Sequence, residues 1–186
     1  MHHLLEDLAA LTLADLGVVP PINAFHIACL LGLKIRKAPI ERAVYSPDRE
    51  LVVYSQEAIP QRQQGLVATH IAEHVLRESG VGGGHGWASY LGAAIQVPAL
   101  ALISDLAELG LDLFALRTRH PFVSQTLLAR RLADVTGGEV TLWKQGKMKW
   151  ARGLAVPIPK HAVQWEIGEG YALSLRLGPS SPLGSP

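Results

Sequence analysis

Between residues 4 and 16 leucine and alanine return at helical spacing, while Glu6, Asp7 and Asp15 stay off the apolar stripe and Gly17 closes the run. This pattern predicts a short amphipathic helix. After Pro20-Pro21, Asn23 is placed to cap a second helix through Leu31, which Gly32 ends. The alternating residues 33–36 predict a strand. In ERAVYSPDRELVVYS, Val44 and Tyr45 precede turn residues Ser46, Pro47 and Asp48, and the β-forming residues 51–54 follow. That segment predicts a hairpin, and three strands in all make a small sheet.

Pro60 suits the first turn of a helix, where its missing N–H is not needed, and the periodicity then continues to about Glu78. A glycine run, residues 80–86 broken only by Val81 and His85, interrupts it. A helix of small residues, 87–96, comes next and stops at Pro98; helical patterns recur at 100–109 and 111–116. Ser124 is placed to cap QTLLARRLADV, which ends at Gly137-Gly138. From 139 to 177 the chain turns to short β-like runs, VTLW, KMKWA, AVPIP, AVQWEI and YALSLRL, separated by Gly or Pro. They predict an antiparallel sheet, and the tail GPSSPLGSP offers almost nothing to bury, which predicts disorder. The fold class expected is α+β: a helical domain with a three-stranded sheet over residues 1–137, a β-rich extension over 138–178 packed on it, and a disordered tail over 179–186.

Composition narrows the classes of function. With 186 residues, 48% of them hydrophobic, the chain has apolar mass for one well-packed core. Seventeen Lys and Arg against 16 Asp and Glu leave a net charge of +1, which advertises neither a phosphate backbone nor an acidic lipid surface as partner. A single cysteine, Cys29, excludes intrachain disulfides, and its apolar run AFHIACLLGL predicts that it packs as a small hydrophobe. No stretch approaches a charge-free membrane span and the start does not resemble a secretory leader, so a cytoplasmic location is expected. Trp143, Trp150 and Trp165 read as core of the β extension, and Lys144, Lys147, Lys149 and Arg152 as a strand edge kept from unwanted pairing.

The helix that begins at Pro60 carries the candidate chemistry. His70 and His74 stand four residues apart, stacked one turn apart on one face, a spacing used for metal ligands. At roughly 100° per residue, Leu66, His70, His74, Val67, Ile71 and Val75 share one arc, so the two imidazoles are expected to point inward. Buried imidazoles need partners for their ring nitrogens, which one divalent cation, or backbone carbonyls and water, can supply. The order His70-x-x-Glu73-His74 inverts the common H-E-x-x-H and leaves Glu73 about 60° outside the pair, as a candidate general base. Its alternative is a solvated helix edge. His85, lifted from the glycine run, is the candidate third zinc ligand, against the alternative of an exposed loop histidine. His26, His120 and His161 are isolated, and His2 and His3 stand at a terminus expected to fray.

Over residues 22–135 the order of features resembles the ImmA/IrrE family of metallopeptidases, with a zincin-like fold. The residues that carry the likeness are LGLKIRK, LVVYS, RQQGLVATH ahead of the histidine helix, HGWASYLGAAIQVP, and Val123, Ser124, Arg131 and Leu132 in a V-S-x-x-x-x-x-R-L pattern. The resemblance implies that His70 and His74 fall on the two helix ligands, His85 on the third ligand, a glutamate in the family, and Ile71 on the catalytic glutamate. It also implies a zinc cofactor and limited cleavage of a regulatory protein, commonly a helix-turn-helix repressor. Loss of a general base lowers the rate by ~10² to 10⁴, so Ile71 favours a catalytically silent module that binds a protein partner over a zinc peptidase with Glu73 as substitute base. DNA binding through Arg130 and Arg131 is a third reading, weakened by balanced flanking charge. The run GVGGGHG follows a helix, where a phosphate loop follows a strand, and so predicts no nucleotide site.

Overall fold

The computed structural model describes residues 2–145, 147–152, 163–168 and 171–176. Its elements are α1 (His2–Asp15), α2 (Ala24–Leu30), β1 (Lys34–Ala38), β2 (Val44–Ser46), β3 (Leu51–Ser55), α3 (Pro60–Glu78), α4 (His85–Gln96), α5 (Ala99–Leu109), α6 (Leu113–Arg119), α7 (Gln125–Thr136), β4 (Glu139–Lys144), β5 (Lys147–Arg152), β6 (Val163–Gly168) and β7 (Tyr171–Arg176). The fold is α+β, as the sequence predicts. Described residues up to Pro98, with His120–Val123, form one compact unit; Ala99–Arg119 and those from Ser124 onward form the other. This division falls earlier than residue 137, because α7 packs on β4 and β7 as well as on α5 and α6.

In the first unit the local signals act as predicted. Asn23 caps α2, its Oδ1 accepting from the Phe25 N–H at 2.9 Å. Gln64 secures the same helix start from α3: its Oε1 accepts from Ala24 N–H at 2.7 Å and its Nε2 donates to Asn23 Oδ1 at 3.1 Å. The sheet order is β1-β3-β2, with β1 parallel to β3 and β2 antiparallel to it. The core joins Leu5, Ala9 and Leu13 of α1, Ile27 of α2, Val52 of β3, Val67 and Ile71 of α3, and Leu91 and Ile95 of α4. Gly92 lets α4 lie directly on α3: a Cβ built there would sit 2.7 Å from the Ala68 carbonyl oxygen. His2 departs from the expected fraying, since its ring stacks on Tyr90 at 4.5 Å. Cys29 also departs from expectation. It is exposed, because α2 buries Ala24, Ile27 and Ala28 and turns Cys29 outward.

In the second unit Ser124 caps α7 through a bond from Leu127 N–H at 3.1 Å, and Gly137 ends it at φ +64°. The sheet is antiparallel throughout, in the order β5-β4-β7-β6. Val140, Leu173, Leu175 and Trp165 are buried, and Trp165 Nε1 donates to the Leu111 carbonyl at 3.1 Å. Trp143 is half-buried, its Nε1 donating to Ser174 Oγ at 3.0 Å. Lys147 and Lys149 do lie on an edge strand, whereas Lys144 on β4 sits over the Tyr171 ring. Arg131 is fully buried, with Asp134 at 3.8 Å, so it presents no charge to a phosphate backbone. The run AVPIP, His161, the side chain of Trp150 and the tail lie outside the described residues. Among the described residues no single helix is long and apolar enough to cross a membrane.

Candidate functional site

Three elements of the first unit build the site. α3 supplies His70, Glu73, His74 and Arg77, the first turn of α4 supplies His85, and β2 supplies Tyr45. Both helix histidines turn largely inward: His74 is buried, and the His70 side chain keeps 12% of its surface exposed. Ile71, farther along the same arc, is fully buried in the core.

Each imidazole is held by Nδ1. His70 Nδ1 lies 2.7 Å from Glu73 Oε2, and a carboxylate only accepts, so this nitrogen is the donor. His74 Nδ1 lies 2.7 Å from the Tyr45 hydroxyl, and the Tyr45 ring stands edge-on to His74 at 6.0 Å and tilted to His70 at 6.5 Å. Neither Nε2 has a hydrogen-bond partner among the described residues. The Glu73 carboxylate is therefore engaged in orienting His70, and its other oxygen is 3.7 Å from His85 Nδ1.

His85 is 81% exposed and faces Glu73. Among the described residues no group of three or more His, Cys, Asp or Glu side chains is arranged to hold a metal ion. As placed, then, the histidines offer two free ring nitrogens on one helix and do not complete a three-ligand zinc site. The glycine turn explains the position of His85. Gly83 packs under Trp87, a Cβ there falling 2.8 Å from the indole, so the turn is folded onto α4.

Two residues of the site were not among the sequence candidates. Tyr45 lies 29 positions from His74 and meets it only through the sheet, with nothing in the local pattern to mark it. Arg77 lines a cleft of about 350 Å³ together with Glu73, Leu76, Val81, Gly82, Gly83, Gly84, His85 and Ala88. One signal could have found it: Arg77 follows Glu73 by one helical turn, on the same edge of α3.

Burial holds the Tyr45 phenol above its ordinary value of 10.0, although the Arg77 guanidinium pulls it down; burial also raises Tyr54. A folded value above the unfolded one means the folded chain keeps a proton that the unfolded chain releases. The stability these phenols confer is complete below the unfolded value and is lost as pH rises through the folded ones. Ultraviolet titration is expected to show at least two of the four tyrosines ionising late. Tyr45→Phe should remove one of them and flatten the alkaline fall in urea midpoint. Unchanged late ionisation in Tyr45→Phe would refute this placement.

No protein-family model matches the sequence, and no curated protein matches it. Among solved structures the chain is similar to a Mycobacterium tuberculosis transcriptional regulator, with a TM-score of 0.67 and 13% identity over 93% of this chain and 75% of that one. At that identity the likeness shows a shared mixed α+β fold.

Proposed function

We propose that this chain is a regulatory protein of ImmA/IrrE-like, metallopeptidase-type fold that binds a protein partner, such as a helix-turn-helix repressor, without hydrolysing it. One observation carries the reading. The position that resembles the family's general base holds Ile71, buried in the core, while the nearest carboxylate, Glu73, is spent on His70 Nδ1. A water beside His70 and His74 thus has no carboxylate dedicated to taking its proton, and general-base help is worth ~10² to 10⁴ in rate. The similarity to a protein described as a transcriptional regulator supports a regulatory setting.

A zinc peptidase is the second reading, favoured by the free Nε2 atoms of His70 and His74. A ligating histidine usually donates its other ring N–H to a carboxylate, carbonyl or water, as His70 Nδ1 does to Glu73. It requires His85 to leave Glu73 and join the pair. The experiment loads the full chain with zinc, measures bound metal, and incubates it with a panel of helix-turn-helix repressors and an unfolded protein substrate. Co-elution of an intact repressor is the expected result. Cleavage that a chelator stops and His70→Ala abolishes would establish the peptidase instead.

A further inference from the structure

The cleft beside α3 has a chemistry of its own. Its lining includes the aliphatic side chains of Leu76, Val81 and Ala88 and the backbone of Gly82, Gly83 and Gly84. The N–H groups of Val81, Gly82, Gly83 and Gly84 make no hydrogen bond among the described residues. Its charged groups are unequally satisfied. Glu73 is bonded to His70 and flanked by His85. Arg77 is exposed and lies against the Tyr45 hydroxyl, a neutral partner, and it forms no ion pair among the described residues. The cleft thus offers a cation to an anion, an aliphatic surface beside it, and exposed backbone amides that a carbonyl can meet in place of water. A volume of about 350 Å³ holds one or two side chains, not a folded element.

We propose that this cleft seats an extended segment of a partner polypeptide, with an acidic side chain on Arg77, an adjacent aliphatic side chain on Leu76, Val81 and Ala88, and its backbone along Gly82–Gly84. An extended chain presents backbone carbonyls to which exposed loop amides can donate. Guanidinium and carboxylate match in donor geometry. A run of phosphates fits less well, because Glu73 lines the same cleft and its repulsion grows with each negative charge brought in.

The inference rests on the binding reading above, and the test separates the two. The full chain, labelled with ¹⁵N, is titrated with the peptide Ac-Ala-Leu-Glu-Ala-NH₂ and with its Gln counterpart. The amide signals of Gly82, Gly83 and Gly84 give the readout. The Glu peptide is expected to shift all three and to bind roughly two- to fivefold more tightly than the Gln peptide, the range for one exposed ion pair. Arg77→Gln should erase that difference while leaving the Gln peptide's affinity as it was, and about 0.5 M salt should shrink it. Equal binding of the two peptides, a difference that survives Arg77→Gln, or silent glycine signals would each overturn the proposal. So would binding only by Ac-Ala-Leu-Gln-Ala-OH, which would place a chain terminus there. Peptide cut in the presence of zinc would overturn the non-hydrolytic reading while leaving the dependence on Arg77 to stand or fall separately.

Discussion

Ile71→Glu, the substitution that restores the family-like H-E-x-x-H order, is expected to destabilise the protein severely rather than create a peptidase. Ile71 is fully buried between Val67 and Val75 on the core face of α3. A carboxylate there loses the packing of an aliphatic side chain and carries an uncompensated charge out of water, a cost of about 3–5 kcal/mol. Total stabilities run to only about 5–15 kcal/mol. The pH dependence has a definite sign. Burial raises the new carboxyl above its unfolded value of about 4.3, so the folded state holds a proton that the unfolded state gives up. The charge penalty is absent below that unfolded value and grows as pH rises toward the folded one. Urea midpoints of Ile71→Glu should therefore approach those of Ile71→Gln at acid pH and fall below them at neutral pH. If Ile71→Glu kept the parent's stability at every pH, position 71 would face solvent or a cation, and the burial that underlies the binding reading would be wrong.

The fold was legible where a single residue type dictates local geometry. Pro60 marks the start of α3, Asn23 and Ser124 bond the first turns of α2 and α7, and Gly137 ends α7 with a left-handed backbone. The inward turn of His74 was legible from helical periodicity, which needs no tertiary information. Contacts between segments were not. Tyr45 reaches His74 only because β2 pairs with β3, and strand order is set by packing that no local pattern records. The direction of His85 was equally hidden, since consecutive glycines permit many backbone paths, and the path taken is fixed by Gly83 lying under Trp87. Cys29 shows a third kind of limit. In AFHIACL nearly every side chain is apolar, so the sequence lacks the contrast that would tell the buried face from the exposed one. The grouping of α5 to α7 with the second sheet was missed for a related reason. Leu128, Leu132, Leu173 and Leu175 are all buried, but which surface each apolar stripe meets is a tertiary fact.

Gly92→Val should be the other severe substitution, and it connects the core to the site. A first side-chain carbon at position 92 would fall 2.7 Å from the Ala68 oxygen and 2.9 Å from Thr69 N. These are backbone atoms in the middle of α3, one turn or less before His70. No rotamer change relieves such a contact, so the two helices must separate and the interior atoms between them lose their partners. Overpacking of this kind costs about 2–3 kcal/mol, with only a fraction of a kcal/mol returned by the better helix propensity of valine. Gly65→Ala, in α3 with open space around its added carbon, is the opposing case and should gain about 0.5–1 kcal/mol by restricting the unfolded chain. The displacement also reaches the chemistry, because α4 carries His85 at its start while α3 carries Glu73 and Arg77. Moving the helices apart widens the cleft that both line, so peptide binding should weaken in whatever fraction of Gly92→Val remains folded. Urea unfolding of the three proteins, with the glycine amide titration repeated on each, tests the coupling. A Gly92→Val protein as stable as its parent would mean that α3 and α4 are not in the close contact from which the site is built.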